Sequence, residues 1–106
     1  MTAMMVSPTI DECRWAVTDF TFALPRAREP LRDRIRRLLD GAIAEREKAN
    51  ATLRFQWRWL DEHRSHPQFA NGEESAVASL KAYERWSDVV REMCAALGDS
   101  RDRCVG

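Results

Sequence analysis

Between Pro30 and Pro67 the chain runs without a proline, and apolar side chains return throughout that run at a helical period. Leu31, Ile35, Leu38, Ala42, Ala49, Leu53, Trp57 and Leu60 carry the pattern. At 100° per residue they stay within about a quarter-turn of one another. Leu39 and Ile43 widen the stripe. Gly41 weakens a helix by about 1 kcal/mol relative to Ala, and the segment EREKAN is poor in large side chains. The stripe nevertheless keeps its phase across both. One helix over about 30–65 is expected, with Pro30 in its first turn and Pro67 ending it. A break at Asp40-Gly41 is the alternative.

A helix of that length spans about 50 Å and dictates what its neighbours can be. Upstream, Thr9 and Glu12 have the spacing of a capping box. Cys13, Ala16, Val17, Phe20 and Leu24 then share one face, and Pro25 stops the segment. Downstream, Asn71 can cap a third helix with Glu74 three residues on. Ala76, Leu80, Tyr83, Trp86, Val90, Met93, Cys94 and Leu97 form its apolar arc, and Gly98 suits a C-cap. The expectation is an all-α fold. It is a three-helix bundle or helical hairpin, with a long central helix flanked by a short N-terminal helix and a C-terminal one. The shorter helices, about 24 and 37 Å, could pack on the long one from both sides or leave part of it free.

The 106 residues suit a single helical domain with loose tails at about 1–8 and 99–106. Seventeen basic and seventeen acidic residues cancel, which removes any long-range attraction for nucleic acid or an anionic bilayer. The basic set is fifteen Arg and two Lys, suited to bidentate ion pairs and ring stacking. No run approaches the roughly 18 apolar residues that a membrane span needs, and the first residues lack the pattern of a secretory signal. A cytoplasmic protein without membrane contact is expected. Cys13, Cys94 and Cys104 fit neither a disulfide framework nor a zinc signature. Two core thiols and one tail thiol are expected, with a Cys94–Cys104 bridge as the alternative.

The segment FQWRWLDEHRSHPQF, residues 55–69, concentrates the chemistry. Phe55 and Trp59 point nearly opposite to the main stripe, and Arg54 and Arg58 lie on the flank between. In the first helix Trp15 and Phe22, seven residues apart, likewise fall away from the core face. Either the two shorter helices cover both sides of the long one, or these rings form a partner surface. Aromatic and Arg side chains are the usual anchors of such surfaces. The expected function is non-enzymatic: a protein–protein interaction or adaptor protein, self-associating as a homodimer. Its anchors would be Phe55, Trp59, Trp15 and Phe22, with Arg54 and Arg58 orienting the partner.

Two further readings attach to particular residues. PRAREPLRDRIRR, residues 25–37, holds six Arg against two acids, so Arg26, Arg28, Arg32 and Arg36 are candidates for a nucleic-acid contact. The bland alternative is a solvated surface of local pairs with Glu29, Asp33 and Asp40. RWLDEH, Arg58 to His63, resembles the Arg-x4–6-His element of the HEPN ribonucleases, small helical proteins that dimerise to bring such elements together. The residue after the Arg is usually polar in that family and is Trp59 here. The resemblance implies that Arg58 would hold the scissile phosphate and His63 would move a proton at the ribose 2′-hydroxyl. His63, His66 and Glu62 have no evident further ligand beside them, so no metal and no cofactor is expected.

Overall fold

The structure, a computed structural model, describes residues 7–98. Of the expected tails, about 1–8 and 99–106, residues 1–6 and 99–106 lie outside the described residues. Three helices make up the described residues: α1 (Ile10–Thr21), α2 (Pro25–Glu62) and α3 (Phe69–Leu97). The all-α architecture with one long central helix is as the periodicity implies.

The capping box forms at α1. Thr9 Oγ1 accepts from the Glu12 N–H at 3.0 Å, and Glu12 Oε1 accepts from the Thr9 N–H at 3.3 Å. The helix stops at Thr21, four residues before Pro25. Leu24 therefore leaves the α1 face, becomes the N-cap of α2 in extended conformation, and stands 76% exposed.

α2 begins five residues earlier than expected. Pro25, not Pro30, takes the first position, where its missing N–H costs nothing. The extended Leu24 before it satisfies the restriction on pre-proline residues. Pro30 lies inside the helix, where the N–H it lacks would have bonded the Arg26 carbonyl. Arg26 is exposed, so water can serve that carbonyl. The helix passes Asp40-Gly41 without a break and reaches about 57 Å.

α3 starts at Phe69, two residues before the expected Asn71 cap, and Gln68 occupies the N-cap without a side-chain cap bond. The Asn71 amide instead bonds the Gln68 side chain. Gly98 ends α3 with φ 71°, the left-handed conformation expected of a C-cap glycine.

α2 and α3 form an antiparallel hairpin, and α1 packs against both at one end. There lies the main core: Cys13, Ala16 and Phe20 from α1, Ile35, Leu39 and Ala42 from α2, and Val89, Val90, Met93 and Cys94 from α3. Each large side chain fully buried there contributes about 1.5–3 kcal/mol. α1, about 18 Å long, cannot follow α2 to its far end. Beyond it the hairpin continues as a two-helix arm whose buried residues are Leu53, Leu60 and Ala76, with Trp59 and Phe69 packed against them. Arg46 lies on the stripe between the two clusters, its aliphatic stem buried and its guanidinium 3.7 Å from the exposed carboxylate of Glu47. The radius of gyration is 17.2 Å, against about 13 Å for a compact chain of this length.

Cys13 is buried as a free thiol. Burial, and secondarily the carboxylate of Glu12, push its pKa up to about 11. Cys94 is buried and disulfide-bonded, so it is not the free core thiol expected from the sequence. Cys104 lies outside the described residues.

Candidate interaction surface

The arm has two broad faces. One is the side on which the start of α1 sits further down the hairpin. Pro8, which leads into α1, packs on Gly41: a Cβ there would stand 2.6 Å from Pro8 Cδ. Eighteen residues separate Gly41 from Trp59, five full turns, so the two share one side of α2.

On this first face Trp59 is half-buried. A Cβ on Gly72 would meet the Trp59 ring at 2.9 Å, so the bare glycine backbone of α3 is what lets the indole close against it. His63 stacks on Trp59 at 4.5 Å between centroids, with the rings 10° from parallel, and His66 meets Trp59 edge-on at 5.2 Å. Phe55 stays 69% exposed beside them. It lines a pocket of about 310 Å³ with Gln56, Trp59, Gln68, Asn71, Gly72 and Ser75.

The histidines hold the α2–α3 connection. His63 Nδ1 lies 2.7 Å from the Trp59 carbonyl; a carbonyl can only accept, so Nδ1 carries the proton and donates. His66 Nδ1 accepts from the Gln68 N–H at 3.0 Å, so the neutral ring carries its proton on Nε2. Both rings are thus tied to backbone groups of the turn. Among the described residues no group of three His, Cys, Asp or Glu side chains could hold a metal.

On the opposite face Trp57 stands 56% exposed, with Val77 and Leu80 of α3 also open to solvent. The sequence stripe placed Trp57 and Leu80 in the core. α3 covers only one flank of α2 at this level, and no third helix reaches it. Trp57, Arg58, Leu60, Asp61, Arg64, Phe69 and Glu73 line an open cleft of about 750 Å³ here. A signal for this was present in the sequence. Leu53 and Leu60 flank Trp57 at i−4 and i+3, but its neighbours at i−7, i−3 and i+4 are Asn50, Arg54 and Asp61, all polar, which marks the edge of the stripe.

Of the expected anchors, then, Phe55 is exposed and Trp59 is half covered by its own chain. Arg54 and Arg58 are exposed on the α2 flank and line a shallow pocket with Phe55. Trp15 and Phe22 are exposed on and just after α1, away from the arm. Arg58 and His63 are not brought together. Five residues of helix leave them about 140° apart; Arg58 lines the Trp57 cleft while His63 stacks on Trp59.

The basic segment is largely neutralised locally. Arg32 pairs with Glu29 at 3.7 Å, Arg36 with Asp33 at 3.0 Å and Arg34 with Asp19 of α1 at 3.5 Å. Arg28 and Arg32 lie over the Phe20 ring at 4.5 and 5.4 Å, where their stems and charge help close the end of the main core. Arg26 is exposed. These contacts match the solvated surface of local pairs better than a stripe aimed at phosphates.

No helix among the described residues is long and apolar enough to cross a membrane. No protein-family model matches the chain, and neither curated proteins nor solved structures match it significantly.

Proposed function

We propose that the protein is a non-catalytic helical interaction module that associates with itself through the two-helix arm. One observation carries this reading: the arm buries only Leu53, Leu60 and Ala76, yet exposes Phe55 on one face and Trp57, Val77 and Leu80 on the other. A helix apolar on more than one side needs cover on each. Aromatic side chains supply large contact area at little entropic cost, and exposed Arg54 and Arg58 stand at the margin where orientation is set.

The test is site-specific photocrosslinking of the purified protein, with p-benzoylphenylalanine in place of Phe55 or of Trp57. An adduct of twice the chain mass is expected from at least one position. Its absence from both, at concentrations up to about 0.1 mM where dimers of ordinary affinity are populated, would remove self-association as the function of the arm.

A further inference from the structure

We infer that the occupant of the Trp57 face is a second copy of the chain, related by a twofold axis running along the arm, so that α2 of each copy lies over α3 of the other. This rests on the reading of the arm as a self-associating surface and adds which face pairs, in which orientation, and through which charges.

The Trp57 face is the uncovered one. Trp59 shares a side of α2 with Gly41 and hence with Pro8, and Trp57 lies about 160° round the helix from it. The start of α1 therefore lies on the opposite side of α2, and its end, where Phe20 meets Arg28 and Arg32, is about 37 Å or more along α2 from Trp57, so α1 does not obstruct approach to Trp57. A standard interface buries about 800 Å² per partner. Two helices side by side are about 20 Å wide, so about 40 Å of hairpin suffices, and α3, the shorter of the two, spans about 44 Å.

The charges select the mate. Leu60 lies beside Gly72, and in an antiparallel pair each step back along α2 matches one step forward along α3. Arg58 therefore stands level with Glu74 and one residue from Glu73, and Trp57 level with Ser75, about 3 Å along the axis from Val77. Arg58 and Glu73 line the same cleft from opposite edges. Among the described residues neither has an ion-pair partner, while Arg64 of the same cleft is held by Asp61 at 3.0 Å. Within one chain the two unpaired charges sit across the width of the face. A twofold axis along the arm lays the α2 edge of one copy on the α3 edge of the other at the same level. Arg58 then meets Glu73 of the partner subunit, and the symmetry makes the pair twice. Trp57 comes down within about 3 Å along the axis of Val77 of the partner subunit, within reach of the indole, and the apolar centre closes inside the two charge pairs.

The experiment is sedimentation equilibrium of the wild type, Arg58→Glu, Glu73→Arg and the double charge swap, with Trp57→Ala and Phe55→Ala as references. All these side chains are exposed, and circular dichroism checks that each variant is folded. The wild type should be a dimer. Each single charge reversal should raise its dissociation constant about tenfold or more, and the double swap should return it to within about threefold of wild type. Trp57→Ala should give a folded monomer. Single reversals without effect, or a swap that does not restore pairing, would overturn the inference. A dimer that survives Trp57→Ala and is lost with Phe55→Ala would overturn it while leaving self-association standing. A wild-type monomer that also gives no crosslink from either position would sink both.

Discussion

Gly41→Ala should lower stability, although it replaces a poor helix former of the α2 interior with the best. Helix propensity alone favours Ala by about 1 kcal/mol. The new Cβ, however, would stand 2.6 Å from Pro8 Cδ and 2.8 Å from Cγ, against about 3.5–4.0 Å for ordinary carbon contact. The proline ring must retreat by about 1 Å. It cannot bend away as a long side chain would, and it runs directly into Thr9, whose capping box starts α1. Overpacking of this kind costs about 1–3 kcal/mol. The net effect should be about 1 kcal/mol of destabilisation, a fall in Tm of about 4–8 °C for a domain of this size. The sign depends on the ring, so the decisive measurement is thermal unfolding of a double-mutant cycle. Pro8→Ala deletes both clashing atoms, and in that background Gly41→Ala should become stabilising by about 1 kcal/mol. If Gly41→Ala raises Tm equally with and without Pro8, the close approach of the α1 leader to α2 is wrong, and with it the placement of the start of α1 on the Trp59 side.

Three other outcomes follow from the packing. In urea unfolding, Trp59→Ala should cost about 2–4 kcal/mol because the indole is half-buried against Leu60 and Gly72, while Trp57→Ala should stay within about 1 kcal/mol; equal costs would contradict the division of the arm into its two faces. Alkylation of Cys13, followed by peptide mass spectrometry, should be slow at pH 8 and accelerate only toward the raised pKa of about 11. The fold favours the neutral thiol, so that contribution to stability is full below the ordinary value of 9.0 and fades as the pH rises toward 11. Rapid labelling of the native protein at pH 8 would refute the burial. Pro30→Ala should stabilise the fold by about 1 kcal/mol, read as a higher Tm, by restoring the hydrogen bond to the Arg26 carbonyl, a modest gain because that carbonyl is already open to water; an unchanged or lower Tm would mean that the first turn of α2 is not helical.

Much of the architecture was legible because it is local. The capping spacing of Thr9 and Glu12, the unbroken phase across Gly41 and the left-handed cap at Gly98 depend on neighbours within a turn or two. The first turn of α2 was misplaced because two prolines compete for it. Pro30 has the better-looking context, but only Pro25 lets Leu24 stay extended in a short connection. Trp57 was misassigned for a different reason. A periodic stripe reports which side chains share a side of one helix, and burial further requires another helix long enough to reach them. That length is a property of α1 and of where α3 sits across α2. Trp59 shows the converse: it points away from the stripe and is still half covered, because Gly72 allows α3 to come close. In the basic segment, local spacing did anticipate that Glu29 and Asp33 are held in local pairs, which form with Arg32 and Arg36, whereas the tertiary pair of Asp19 with Arg34 lay beyond its reach.

The Arg46 waist divides the molecule into parts of unequal cohesion. On one side three helices share ten buried side chains; on the other, two helices share three. Opening of the arm exposes little apolar surface, so it should require far less free energy than global unfolding. Amide hydrogens of residues 53–62 and 69–80 should therefore exchange through excursions that leave the α1 end intact. Anything that grips the arm would deepen protection there first, by an amount set by its concentration relative to its dissociation constant. Hydrogen exchange along α2 would then register occupancy of the arm as a gradient within a single continuous helix, steepest on the side of Arg46 that α1 does not reach.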